Sequence, residues 1–174
     1  MTARYCPDMV LTARCTIPER SAFLEALRTI AAINSCRIIL FNADRIAGRA
    51  HAALAVTLAQ RAFDLGANIS NTLEMEALLF ASGSRQCNVA ISFGINDGEN
   101  HLFVCCVPLR DEIRVALESL MKLTHEDGDA ILPEKQQVLM EAFGISPAEL
   151  SATGGDARLA DLVLERVALL QVMR

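Results

Sequence analysis

Apolar residues follow two rhythms along this chain. In MVLTARC, around Met9–Arg14, and in CRIILF, Cys36–Phe41, they run nearly unbroken, as in strands covered on both faces. HLFVCCV has the same texture and predicts a third strand over Leu102–Val107, ended by Pro108. Elsewhere the spacing is helical. Phe23, Leu27, Ile30 and Ala31 share one face of PERSAFLEALRTIAAIN, with Pro18 suited to its first turn. GRAHAALAVTLAQRAFDLG predicts a long helix that Gly66 can terminate, with Asn42 or Asp44 as candidate caps before it. NTLEMEALLFASG predicts the next helix, capped by Asn71 or Thr72 and carrying Glu74 in its first turn.

RQCNVAISFG fits both periods, since Val89, Ile91 and Phe93 alternate while Val89, Ala90 and Phe93 share a helical face. A short helix stopped by Gly94 is the reading adopted. The Asp–Gly pair of INDGEN marks a turn, RDEIRVALESLMKL a helix, HEDGD a turn and DAIL a short strand. Pro133 opens the helix PEKQQVLMEAFG; after a turn and SPAEL, TGGD introduces the last helix. These elements predict an α+β fold: one domain, residues 1–174, with a single mixed or antiparallel sheet and helices packed against it.

Composition narrows the function classes. A 52% apolar and 21% charged chain of 174 residues is globular. With seven Phe, one Tyr and no Trp, stacked-aromatic binding of nucleic acid is poorly supported. MTARYCPDMVLTARC lacks an apolar signal-peptide core, and charged or amide residues break each apolar run short of about 20 residues. A soluble cytoplasmic protein with no membrane partner is therefore expected. Cys6, Cys15, Cys36, Cys87, Cys105 and Cys106 form no CxxC pair, and His51, His101 and His125 do not complete a zinc site. Reduced, mostly buried thiols are expected, with no metal and no cofactor. Charge is uneven: eight arginines oppose five acids up to residue 64, and eight basic residues oppose sixteen acidic ones beyond it. A basic face in the first half is compatible with a net charge of -5.

Conventional catalytic motifs are absent. GRAHAA lacks the Lys–Ser/Thr end of a phosphate loop, GSR is not a nucleophile elbow, and HEDGD is too short for a calcium loop. On the long helix His51 lies at the edge of an apolar stripe, where a structural role is the first reading. Arg45 and Arg49, four residues apart, with Arg61 about three turns on, are either solvated or a phosphate-contacting edge. ASGSRQCN, Ala81–Asn88, inserts Arg85 and Gln86 where the apolar pattern breaks. Gly83 permits a change of direction, Ser82 or Ser84 can cap the next helix, and Arg85 can hold a phosphate or pair with Glu74, Glu76 or a C-terminal carboxylate. The last helix, with Leu159, Leu162, Val163, Leu164, Val167, Leu169, Leu170, Val172 and Met173, has more apolar positions than one stripe needs. Either the domain buries them all, or a face such as Leu164, Val167, Leu170 and Met173 meets a partner.

LEMEALLFASGSRQCNVAISFGI resembles the accessory family of the KEOPS complex that contains the TPRKB protein and its archaeal relatives. The acidic helix entering LL-x-x-SG-x-RQ and the apolar segment ending in FGI carry the likeness. RIAGRAHAALAVTLAQRAF and LVLERVALLQV resemble the family at the corresponding places. Cys87 departs from it, standing where many relatives have an aliphatic residue. The resemblance implies a non-catalytic subunit that binds the N-terminal lobe of the kinase-like ATPase subunit. For an archaeal member it also implies recruitment of tRNA through the 3′ CCA end. That complex supports formation of N6-threonylcarbamoyladenosine, with another subunit transferring the threonylcarbamoyl group. The candidate tRNA-binding residues are then Arg45, Arg49, His51, Arg61, Gly83, Ser84, Arg85 and Gln86, and the candidate partner face is Leu164, Val167, Leu170 and Met173. A protein-only scaffold of the ATPase, and a small-molecule enzyme using a His51/Arg85 groove, are the competing readings.

Overall fold

The computed structural model describes residues 5–173. Four strands, β1 (Leu11–Ile17), β2 (Arg37–Asn42), β3 (Gly98–Val107) and β4 (Lys122–Thr124), form one antiparallel sheet in the order β2-β3-β1-β4. Among the described residues eight α-helices surround it: α1 (Arg20–Ile33), α2 (Arg49–Asp64), α3 (Leu73–Ala81), α4 (Cys87–Ile91), α5 (Asp111–Leu117), α6 (Pro133–Phe143), α7 (Pro147–Thr153) and α8 (Leu159–Val172).

The unbroken apolar runs are explained by two cores on opposite faces of the sheet. Ile38 and Leu40 of β2, with Leu102, Val104 and Cys106 of β3, pack against Phe23 and Leu27 of α1 and Ile113 and Leu117 of α5. The alternate residues Ile39, Phe41, Phe103 and Cys105 face a larger core built from α2, α3, α6 and α8. Successive side chains point to opposite faces, so a strand with helices on both sides has no polar face to show. Cys36, Cys105 and Cys106 are buried as thiols, Cys15 is half-buried, and Cys6 and Cys87 are exposed. Burial pushes the Cys106 thiol up to about 12 and raises that of Cys105 as well.

Several boundaries differ from those read in the sequence. The N-cap of α1 is Glu19 rather than a Pro18-led turn, because its carboxylate accepts from the N–H groups of Ser21 and Ala22, both at 2.8 Å. Thr72 caps α3 through the Met75 N–H. Lys122 and Leu123, read in the sequence as the end of the helix RDEIRVALESLMKL, instead join Thr124 in β4 along the open edge of β1, where Thr12 Oγ1 donates to the Thr124 carbonyl at 2.8 Å. Local propensity does not register such an edge. DAIL forms no strand. Its Asp129 is engaged elsewhere, accepting from the Arg49 N–H at 2.6 Å and so supplying the cap that Gly48 cannot give α2.

Candidate functional site

The Ala81–Asn88 junction is held by backbone geometry. After α3 the Ser84 N–H donates to Leu79 and the Gly83 N–H to Phe80, the paired bonds that close a helix through a left-handed residue. That residue is Gly83, whose φ of +60 is what calls for glycine; a Cβ there would only reach ordinary contact with the Phe143 ring, at 3.4 Å. Ser84 Oγ accepts from the Gln86 N–H at 3.1 Å, so it braces the loop; Gln86 holds the N-cap position of α4 without a side-chain cap bond, contrary to the expected serine cap. Ser82 turns back to the Leu79 carbonyl.

His51 sets this junction from behind. It is fully buried; its Nδ1 accepts from the Ala47 N–H at 3.0 Å, and its Nε2 lies 2.8 Å from the Ala81 carbonyl. Those partners require the tautomer with hydrogen on Nε2, which donates to Ala81. The ring therefore ties the start of α2 to the end of α3, and Phe143 meets it edge-on at 5.7 Å. Burial lowers the imidazole to about 4, and the nearby Lys135 charge pushes the same way. This corrects two expectations: with no exposed surface, His51 offers nothing to RNA, and among the described residues it lines no groove that an enzyme could use with Arg85.

The arginines occupy different settings. Arg85 is exposed, and its Nη1 donates to the Met173 carbonyl at 3.2 Å, at the end of α8 where the helix dipole is negative. The acids considered for it are committed elsewhere: Glu74 lies 3.6 Å from Arg37, and the Glu76 carboxylate is buried, accepting from the N–H groups of Ile69 and Ser70. Arg45 is half-buried with its guanidinium 5.8 Å from the Phe93 ring centre. Phe93 in turn meets Phe143, so a chain of rings links Arg45 to Gly83. Arg49 pairs with Asp129 at 3.5 Å and donates to the Glu126 carbonyl, which offsets its charge and makes it a structural tie. Arg61 is exposed in the last turn of α2, about 18 Å along the axis from Arg49. Gln86 and Cys87 are exposed, so the Cys87 thiol is not part of the core.

The last helix is turned differently from the expected partner face. Val167 and Leu170 are core residues, packed with α2 and α3, because the apolar side of α2 leaves a trough that α8 fills. Leu164 is half-buried, whereas Leu169, Val172 and Met173 are exposed. Of the four residues singled out, only Met173 lies fully on the outside.

Among the described residues no His, Cys, Asp and Glu groups are placed to hold a metal, and no helix is long and apolar enough to cross a membrane. The family model described as Kinase binding protein CGI-121 matches residues 19–171. The chain belongs to this family. No curated protein matches it. CGI-121 membership gives the chain a non-catalytic accessory role of the KEOPS type. Within that frame the sequence reading missed Phe143, whose ring touches His51, Phe93 and the Gly83 turn, and Asp129, which caps a helix eighty residues away. An aromatic at the end of an amphipathic helix signals a core, and nothing in its spacing names its neighbours.

Proposed function

We propose that this chain is the tRNA-recruiting and ATPase-binding subunit of a KEOPS complex, acting in the cytoplasm. Arg85 carries the RNA side of the reading. It projects from a turn fixed by Gly83, Ser84 and the His51–Ala81 bond, and it has donors left after its one bond to Met173. Exposed Gln86 stands beside it, while Arg45 and Arg61 supply further positive charge at other places on α2 and the turn before it. Phosphate contacts of this kind position an RNA strand without reading its bases. On the protein side, Leu169, Val172 and Met173, with the outer part of Leu164, form the apolar end that would meet the ATPase subunit.

A salt titration of tRNA binding tests the RNA half. Arg85→Ala, at an exposed position, is expected to stay folded, to weaken tRNA binding and to reduce the log–log salt slope by roughly 0.7. tRNA with and without its CCA end should be compared. Unchanged affinity and slope would remove Arg85 from the interface. Loss of the CCA preference alone, with the slope kept, would make Arg85 a reader of the terminal bases or ribose. Binding to the ATPase subunit with none to tRNA would favour the protein-only scaffold.

A further inference from the structure

β2 is one of the two edge strands of the sheet, and part of its outer edge is unpaired among the described residues. The parity of its backbone follows from two hydrogen bonds. The Asn42 N–H points away from β3, to the Phe93 carbonyl at 2.7 Å, and the Cys106 N–H, opposite Ile38, points away from β2, to the Tyr5 hydroxyl. Residues 36, 38, 40 and 42 therefore direct their N–H and C=O groups outward, and Arg37, Ile39 and Phe41 pair with β3. The Cys36 N–H is taken by the Ala31 carbonyl at 3.0 Å. Between these tied ends, the outward N–H and C=O groups of Ile38 and Leu40 have no hydrogen-bond partner among the described residues. An edge of this kind templates another strand unless it is covered.

It opens into a groove of about 490 Å³ between α1 and α3. Leu24 and Leu27 form one wall, and Met75 and Leu78 the other. Arg20, Arg28 and Arg37 are the basic residues of the lining, against the single acid Glu74, so the rim is positive in an acidic protein. We infer that the β2 edge binds an extended peptide segment of another protein, apolar at alternate positions and flanked by Asp or Glu. Backbone groups at Ile38 and Leu40 are about 7 Å apart along the strand, so a segment of about three residues answers both. Its alternate side chains enter the apolar walls, and its flanking carboxylates meet the arginines. A nucleic-acid strand has no matching ladder of amide donors and acceptors, which favours a peptide. This site is separate from the Arg85 turn and stands or falls without it.

The test is a random heptapeptide display library selected on the full chain, followed by amide hydrogen exchange with the most enriched peptide synthesised. Alternating apolar sequences with acidic flanks should be enriched. In the free chain the Ile38 and Leu40 amides should exchange faster than that of Ile39, and peptide should slow those two by about tenfold or more. Arg28→Glu, at an exposed position, should weaken the peptide about tenfold while leaving the melting temperature unchanged; Arg28→Gln should show a smaller loss. No enrichment, or enriched peptides that leave the Ile38 and Leu40 amides unchanged, would overturn the inference. Slowing of the same amides by a single-stranded oligonucleotide ending in CCA, in place of any peptide, would assign the groove to nucleic acid and overturn it too.

Discussion

A chain carrying Leu170→Asp should fail to fold stably, whether or not its ATPase partner is present. Leu170 is 5% exposed within the main core, beside Val163 and Val167 of the same helix. Truncating a buried leucine costs about 2–5 kcal/mol, and a carboxylate in its place must be desolvated or protonated. The combined loss, roughly 5 kcal/mol or more, rivals the whole stability of an ordinary domain. Val172→Asp is the informative companion. Val172 is 80% exposed, so its stability should shift by no more than about 0.5 kcal/mol. If the outer end of α8 meets the ATPase subunit, Val172→Asp weakens that complex in calorimetry while its urea midpoint matches wild type. A Leu170→Asp protein with wild-type stability would show that α8 is turned the other way.

The second large effect is at His51. His51→Ala removes the acceptor of the Ala47 N–H and the donor to the Ala81 carbonyl, and leaves a hole against Phe143. A stability loss of about 3–4 kcal/mol is expected from two orphaned buried groups and the lost volume. The same residue makes stability depend on pH with a definite sign. Its folded-state value of about 4 lies below the ordinary 6.5, so between these limits the unfolded chain binds the proton and the folded chain does not. The contribution of neutral His51 is complete above pH 6.5 and is lost as pH falls to about 4, amounting to about 3 kcal/mol. Glu19 and Glu126, both held below the usual carboxylate range by hydrogen bonds, weaken the fold in the same direction as acid protonates them. Subtracting the His51→Ala profile from that of wild type isolates the histidine. A wild-type profile as flat as the mutant's across pH 4–6.5 would show the ring to be solvated.

The legible parts of this fold are those where one local cause dominates. Cys36–Phe41 announces a doubly covered strand by its composition, and Gly83 marks a turn because a left-handed residue was needed there. The family is legible too, in the order of several segments along the chain, the SG-x-RQ stretch and the helices before and after it, rather than in any one of them. Contacts between distant segments were not legible. Lys122–Thr124 became a strand because β1 had an edge to fill, and Asp129 became a cap because it is carried to the start of α2. Arg49 looked like a free cation on a helix face until that aspartate came beside it. The rotation of α8 was ambiguous for a related reason: with apolar residues on most sides, periodicity offers several inward faces, and only the shape of α2 and α3 selects Val167 and Leu170.

The uneven burial of the cysteines gives the sheet a built-in clock. Exposed Cys6 and Cys87 should be alkylated soon after reagent is added, since a dissolved reagent reaches both side chains without any opening of the fold. Cys36, Cys105 and Cys106 are shut inside, two of them on adjacent positions of the central β3 but facing opposite cores. Labelling of Cys105 therefore requires the α2-side layer to lift, and labelling of Cys106 requires the α1-side layer to do so. Mass spectrometry of the two adjacent sites over time would show which layer detaches first.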